Sequence, residues 1–254
     1  MLFRSGCSMT VPEKVKMAAK LVELGVDIME AGFPIASEGD ADAVAAVSKQ
    51  FPEMRVAALA RSNQTDVLAA GKSLRYAKRP RIHTFIATSD IHLKFKLKKS
   101  RQEVLDAACA AVKMAREYCD DVEFSAEDAT RTDWDYLEQV SRAVVEAGAS
   151  TVNLPDTVGY SVPDEYAEMI GRISKALAGK AIVSVHCHDD LGLAVANSIA
   201  AVKAGARQIE CTINGIGERA GNASLEEVVM AFNTRRDRLP FETGIITEPI
   251  YPAS

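Results

Sequence analysis

Apolar residues along this chain follow two alternating patterns. Short runs rich in β-branched residues are each followed by a longer segment whose apolar positions recur every three to four residues, the spacing of an amphipathic helix. Successive runs begin 26 to 40 residues apart, the length of one strand–helix unit. The pattern predicts strands over residues 26–32, 55–60, 81–88, 121–127, 150–157, 181–188 and 208–214.

Helices are predicted around these strands. The first has a clear start signal, because Thr10 can cap it, Pro12 suits a first turn and Glu13 completes a capping box. Gly25 ends that helix, as a glycine at the C-terminal cap commonly does. The predicted helices cover residues 11–24, 38–50, 63–75, 101–118, 133–147, 163–177, 192–204 and 223–236.

Parallel strands joined by helices form either an open doubly wound sheet or a closed barrel. The number and length of the units favour an α/β fold of the TIM (β/α)8 barrel type, with residues 1–254 forming a single barrel domain. A closed barrel needs one more strand before residue 10, where Met1-Leu2-Phe3 is too short to cross it. We therefore expect the first strand to be missing or truncated, and the end at Ser254 suggests a cut there too.

Composition narrows the class of protein. The chain is 48% hydrophobic and 26% charged, as soluble globular proteins are, and its net charge of -5 argues against a nucleic-acid partner. No apolar run reaches the roughly 20 residues of a membrane span, and the N-terminus has no secretory signal. The five cysteines include no Cys-x-x-Cys pair, so we expect reduced thiols and a cytoplasmic protein.

Two histidines stand out in the strand predicted over 181–188. Side chains alternate along a strand, so Ser184, His186 and His188 would face the barrel interior. Two imidazoles on one strand face can share a cation, and active sites of such barrels lie at the C-terminal strand ends. The alternative is that both histidines are hydrogen-bonded core residues. Because Asp189 and Asp190 follow directly, we favour a metal site.

Other strands also carry polar residues on the faces assigned to the interior. Burying so many polar groups is unfavourable unless they bind each other, a metal or a ligand. We expect a structural network near the barrel floor for Glu30, Glu123 and Glu210, which lie early in their strands or deep. We favour a functional role for Glu127 and Thr157, which lie at strand ends. The remaining interior positions are His83, Ser125, Asn153, Thr212 and Asn214.

A glycine-rich loop, residues 215–222, follows the last strand. It could cradle a phosphate, or it could be a tight turn. The loop places Glu218 and Asn222 on the same rim as the two histidines, and this donor set suits a divalent ion such as Mn²⁺, Mg²⁺ or Zn²⁺. In the connection after strand 81–88 there is a run of lysines that is either solvated or binds an anionic substrate or coenzyme A phosphates: Lys94, Lys96, Lys98 and Lys99.

Several segments resemble the 2-isopropylmalate synthase family of the DRE-TIM metallolyase superfamily, which also contains homocitrate and citramalate synthases and HMG-CoA lyase. The resemblance covers residues 6–246. The segments are GVDIMEAGFPIASEGD (25–40), RIHTFIATSDIH (81–92), DVEFSAEDATR (121–131), NLPDTVGY (153–160), SVHCHDDLGLAVAN (184–197) and CTINGIGERAGNASLEE (211–227).

The resemblance implies an acyltransferase that condenses acetyl-CoA with 3-methyl-2-oxobutanoate in a Claisen reaction, giving 2-isopropylmalate and CoA in leucine biosynthesis. It implies a divalent metal ion, preferably Mn²⁺, that is held by His186, His188 and Asn222. It implies a homodimer at full length. The residues that match the 2-oxo-acid pocket are His83, Ser125, Glu127 and Thr157, with His83 and Glu218 as candidate catalytic groups.

The sequence also departs from the family. An Arg-Asp-Gly motif that supplies a metal-ligand aspartate and a catalytic arginine is absent, and Arg4 is not followed by aspartate. The family's C-terminal part, with a histidine and a tyrosine that act across the dimer, is also absent, and Asp189 stands where asparagine is usual. The alternatives are therefore a homocitrate or citramalate synthase, or a catalytically inactive metal-binding barrel fragment.

Overall fold

The computed structural model describes residues 9–254, and within that range the strands form one parallel sheet in chain order. Each strand pairs with its predecessor and successor, as predicted for a barrel. The strands are β1 Ile28–Gly32, β2 Arg55–Arg61, β3 Arg79–Ala87, β4 Asp121–Glu127, β5 Thr151–Asp156, β6 Ile182–Cys187 and β7 Gln208–Glu210.

Helices connect the strands close to the predicted positions. The predicted capping box is present, because Glu13 Oε2 accepts hydrogen bonds from the amide of Thr10 at 2.7 Å and from its hydroxyl at 2.8 Å. Gly25 ends the first helix with φ 74°, a left-handed conformation that favours glycine. The helices are α1 Val11–Leu24, α2 Glu38–Gln50, α3 Gln64–Ser73, α4 Asp90–His92, α5 Arg101–Arg116, α6 Trp134–Glu146, α7 Pro163–Leu177, α8 Ala194–Ala204, α9 Leu225–Thr234 and α10 Ile250–Ala253.

Two regions differ from the prediction. The last strand ends at Glu210, so Thr212 and Asn214 lie in a loop and not on an inward strand face. The chain turns there through Asn214, φ 58°, and Gly215, φ 64°, which ends the ladder. The connection after β3 contains α4 and a π-helical turn, Leu93–Leu97, which the lysine-rich sequence did not indicate.

The apolar core lies between the sheet and the surrounding helices. Val122, Phe124 and Ala126 of β4 are buried on that side, and β6 presents Val185 and Cys187 in the same way, as alternation predicts. The opposite faces of these strands carry the polar residues. The inner face of the sheet is therefore lined by polar side chains.

The sheet is curled and remains open within the described residues. β1 and β7 are the two ends of the strand order, and no described strand joins them. A first strand would lie before α1, so the expectation that it is missing or truncated, with the Met1–Phe3 segment and Arg4, falls outside the described residues. In residues 9–254 we find no helix long and apolar enough to cross a membrane.

Candidate metal and substrate site

His186 in β6 and His188, directly after β6, meet at the C-terminal rim of the sheet. His188 Nε2 lies 2.9 Å from His186 Nε2, and the rings meet edge to face with centroids 4.9 Å apart. The outer ring nitrogens face other groups, because His186 Nδ1 lies 3.0 Å from Glu210 Oε2 and His188 Nδ1 lies 2.6 Å from Arg219 Nη2. Both rings are thereby oriented so that their Nε2 atoms converge.

The charge states of the two rings are set by their neighbours. Burial lowers the pKa of His188 to about 4, assisted by the charges of His186 and Arg219. Burial also acts to lower the pKa of His186, but the hydrogen bond and charge of Glu210 outweigh it and the pKa is raised. His188 is therefore neutral at physiological pH. Because Arg219 can only donate, His188 Nδ1 accepts and the ring proton lies on Nε2, so Nε2 must give up this proton, by a change of tautomer, before it can bind a metal.

Asn222 reaches this rim from the glycine-rich loop, and a β-bridge pairs it with His188. Its Oδ1 atom is buried and has no hydrogen-bond partner within residues 9–254. A Cβ atom at Gly217 would lie 2.4 Å from Asn222 Nδ2, so this position requires glycine for the amide to fit. The unpartnered oxygen of Asn222 and the two imidazoles are therefore side chains of one rim that could share a cation.

The loop itself is a tight turn. The amides of Gly215, Ile216, Gly221 and Asn222 donate to the carbonyls of Thr212, Ile213, Glu218 and Gly215 respectively. Donors used in this way are not free for a phosphate. These four bonds support the tight-turn interpretation of the sequence.

The convergent donors fit a divalent cation. Two nitrogens at right angles on an ion with bonds of about 2.1 Å would be separated by about 3.0 Å, close to the 2.9 Å between the Nε2 atoms. The two imidazoles suit a borderline ion such as Zn²⁺, and the amide oxygen suits harder ions such as Mn²⁺ or Mg²⁺, so the donor set alone does not select one of them. His186, His188 and Asn222 are therefore the residues that could hold the metal.

A second group of potential ligands lies deeper, at His83, Glu123 and Glu210, with atoms within 4.8 Å of one another. Both nitrogens of His83 are already engaged, by Glu30 Oε2 at 2.6 Å and by Ser125 Oγ at 2.6 Å. Both oxygens of Glu123 are engaged too, one with Arg81 at 2.7 Å and the other with Gln208 at 2.7 Å. We regard this group as a hydrogen-bond network and a weaker metal site than the histidine pair.

The network explains the three interior glutamates expected to be structural. Glu123 is bonded within the barrel floor, whereas Glu30 and Glu210 reach His83 and His186 and so also touch candidate site residues. Burial acts to lower the pKa of His83, but the charges of Glu30, Glu210 and Glu123 outweigh it and raise the pKa to about 10. His83 is therefore an imidazolium at neutral pH.

The other residues predicted for a substrate pocket line the adjoining strand ends. Ser125 Oγ accepts a hydrogen bond from Asn153 Nδ2 at 2.8 Å, and Thr157 Oγ1 accepts one from the amide of Asp128 at 2.9 Å. Lys96 pairs with Glu127 at 2.5 Å. The lysine run is therefore not wholly solvated, since one of its members covers a predicted pocket residue.

Glu218 lies on the rim but bonds no other predicted site residue among those described. Its carboxylate lies 3.4 Å from Arg219 Nη1, and Arg219 in turn binds Asp190, the carbonyl of Thr157 and His188. Sequence reasoning missed Arg219 because its partners are up to 62 residues away. It also missed Arg81, a basic residue buried at the floor between Glu123 and Asp121.

The fold and the site together define an α/β-barrel protein with a candidate divalent-metal site at its strand ends. Residues 4–254 match the HMGL-like family, and the chain belongs to that family, within the DRE-TIM superfamily. The resemblance seen in the sequence is confirmed.

Two curated relatives carry the name 2-isopropylmalate synthase. A 2-isopropylmalate synthase from Pelotomaculum thermopropionicum is 60% identical over 251 residues, covering 98% of this chain and 50% of the relative. One from Carboxydothermus hydrogenoformans is 58% identical over 251 residues, covering 98% of this chain and 49% of the relative. The chain thus spans about half the length of the curated relatives it matches.

Solved structures support the barrel. An HMG-CoA lyase from Pseudomonas aeruginosa superposes with TM-score 0.82 at 23% identity, over 97% of this chain and 85% of that one. An HMG-CoA lyase from Brucella melitensis superposes with TM-score 0.78 at 20% identity, over 97% and 90% respectively. At this level of identity the likeness establishes the fold alone.

Proposed function

We propose that this chain carries the catalytic barrel of a 2-isopropylmalate synthase. The reaction joins acetyl-CoA and 3-methyl-2-oxobutanoate, consumes water to cleave the thioester, and releases 2-isopropylmalate and CoA in leucine biosynthesis. The observation that carries this proposal is the 2.9 Å approach of His186 Nε2 to His188 Nε2, on a rim where a β-bridge pairs His188 with Asn222. The curated relatives at 58% and 60% identity support the same choice of substrate.

His186, His188 and Asn222 would hold the metal, which we take to be Mn²⁺. When bound, such an ion polarises the keto group of the 2-oxo acid as a Lewis acid. The protein's part is to keep His188 neutral through burial and Arg219, and to hold His186 against Glu210. The side chains that surround the ion are thus oriented before any ligand arrives.

The pocket residues bind and orient the 2-oxo acid. Thr157 and Ser125 present hydroxyl groups, and the imidazolium of His83 places a positive charge on the wall that the substrate anion faces. Glu127 accepts a hydrogen bond from Lys96 Nζ and would accept one from the substrate. The acetyl methyl group must lose a proton before it attacks the keto carbon. Of the two candidate catalytic groups, Glu218 could accept that proton, whereas His83, as an imidazolium, could only donate one.

Acetyl-CoA would approach over the rim. Lys94, Lys98 and Lys99 lie in the connection after β3, near Lys96, and can attract the phosphates of coenzyme A. We further propose a cytoplasmic enzyme that acts as a homodimer at full length. The chain spans about half the length of these relatives. Both statements therefore concern a whole protein of the kind that the relatives' names indicate.

A CoA-release assay tests the function. The chain is assayed with Mn²⁺ and acetyl-CoA in two forms. One form is the unmodified chain, and the other is fused to the segments of the Pelotomaculum relative that have no counterpart in this chain. We expect release with 3-methyl-2-oxobutanoate and little with 2-oxoglutarate or pyruvate. Preference for 2-oxoglutarate would indicate a homocitrate synthase, and preference for pyruvate a citramalate synthase. Metal binding without CoA release from either form would indicate an inactive barrel.

A further inference from the structure

Asp128 follows Glu127 directly and has an unusual backbone. Its φ is 65° and its side chain is 0% exposed, so a fully buried carboxylate sits in a left-handed turn at the end of β4. Aspartate adopts this conformation more readily than most residues, but it still requires support from its surroundings.

That support comes from the loops on both sides. The carboxylate of Asp128 accepts hydrogen bonds from Ser89 Oγ and from Arg131 Nε and Nη2, the latter two at 2.8 Å. His92 Nδ1 lies 2.9 Å from Asp128 Oδ2. Ser89 and His92 belong to the connection after β3, whereas Arg131 follows β4. The buried charge is therefore fully paired, and it ties two rim loops together.

The backbone of the same residue reaches a third loop. The amide of Asp128 donates to Thr157 Oγ1 at 2.9 Å, just beyond the end of β5. Because this bond occupies a lone pair of the Thr157 hydroxyl, the hydroxyl must donate its own hydrogen elsewhere. Within residues 9–254 that hydrogen has no acceptor. Because Thr157 is half-buried, the hydrogen is available to solvent or to a ligand.

We propose that Asp128, clamped by Ser89, His92 and Arg131, is a positioning residue that presents the Thr157 hydroxyl to the carboxylate of the 2-oxo acid. This inference rests on the proposed function. Asp128 acts through its amide and does not itself touch the substrate. His92 acts one step further away, by holding the Asp128 carboxylate.

Asp128→Asn tests this inference with little change in shape, since asparagine also tolerates the left-handed turn. The probe is 3-methyl-2-oxobutanoate, titrated calorimetrically into protein saturated with Mn²⁺. We expect its dissociation constant to rise about tenfold, because asparagine presents its own N–H groups to donors that the carboxylate accepted. We expect the Mn²⁺ dissociation constant to stay within about twofold, since no metal ligand is moved.

Asp66→Asn is the matched control. Asp66 is also a buried carboxylate, 2% exposed, that pairs with an arginine at the rim, Arg61 Nε at 2.7 Å, but it has no bond to Thr157. Its replacement should lower the melting temperature to a similar degree and leave binding of the acid unchanged. Equal weakening in both variants would mean that only general stability matters, and would overturn the inference.

His92 provides a second test if Asp128→Asn fails to fold. His92→Phe keeps a ring but removes the donor to Asp128, and it should weaken binding of the acid. His92→Asn restores a donor near the Nδ1 position and should recover most of the affinity. If His92→Phe binds as the unmodified protein does, the inference is wrong while the proposed function stands. If the unmodified protein binds no 2-oxo acid with Mn²⁺ present, both are wrong.

Discussion

The guanidinium of Arg81 meets the carboxylate of Glu123 at 2.7 Å, with the two side chains 2% and 3% exposed. Asp121 adds a second carboxylate at 2.9 Å, and Gln208 bridges Arg81 and Glu123 through its amide. This network joins β3, β4 and β7 across the floor of the curled sheet. It lies below the polar residues of the candidate site and supports them.

Removing one partner of this pair should therefore destabilise the fold. Glu123→Ala leaves the buried guanidinium with Asp121 as its remaining carboxylate, and we expect a loss of about 3 kcal/mol in the free energy of unfolding. Urea titration measures it. The double variant Arg81→Met/Glu123→Leu should recover much of the loss, because the charges are removed together. A loss below about 0.5 kcal/mol in Glu123→Ala would show that the network is dispensable.

The histidine pair should control metal binding. His186→Ala should abolish measurable Mn²⁺ binding, and Asn222→Ala should weaken it less, because an amide oxygen contributes less than an imidazole to such a site. Metal content after dialysis and calorimetric titration report both. His92→Phe serves as the control, since it removes a histidine outside the site and should retain the metal. Unchanged metal content in His186→Ala would refute the assignment.

Open strand edges should promote association of the isolated chain. β1 and β7 each lack a neighbour on one side among the described strands, and unpaired edges recruit other chains. We expect light scattering to increase with protein concentration. Ile28→Lys places a charge on the edge strand β1 and should reduce the association, whereas Ile182→Lys, at the start of the interior strand β6, should not. A sharp, reversible unfolding transition of a monomer would contradict this expectation.

The pair Lys14–Asp40 should give stability a pH dependence. Burial acts to raise the pKa of Asp40, but hydrogen bonds from Lys14 and Ser37 and the charge of Lys14 outweigh it, so the pKa falls below 3.8. A depressed folded-state pKa means that the contribution is present above the unfolded value and is lost as pH falls through the folded value.

Asp40→Asn should consequently be less stable than the unmodified chain near neutral pH, and the difference should shrink on acidification to about pH 3. Unfolding by urea at a series of pH values measures the difference. Val22→Ala, an exposed change on α1, controls for effects on the helix itself. A difference that stays constant with pH would show that the carboxylate's charge is not involved.

Much of the fold follows from local pattern. The alternation of strand and helix signals predicted the parallel order, and Thr10, Glu13 and Gly25 predicted the bounds of α1, because caps act within one turn. Strand alternation likewise predicted that His186 and His188 share one face. The last strand was predicted too long: Asn214-Gly215 is a local turn signal, but the strand pairing already ends at Glu210, four residues earlier.

By itself the sequence determined which residue types lie at the strand ends and the family to which the chain belongs, since period and motif are properties of neighbouring residues. Tertiary structure alone decided that His186 and His188 converge through Nε2, that Arg219 faces His188, and that Asp128 links three loops. The contact of Arg219 with His188 and the contacts by which Asp128 links the loops join residues 29 to 39 positions apart. His186 and His188 are only two positions apart, but the orientations of their rings depend on distant partners. Such relationships depend on how the strands are brought together in the sheet, and no local pattern encodes them.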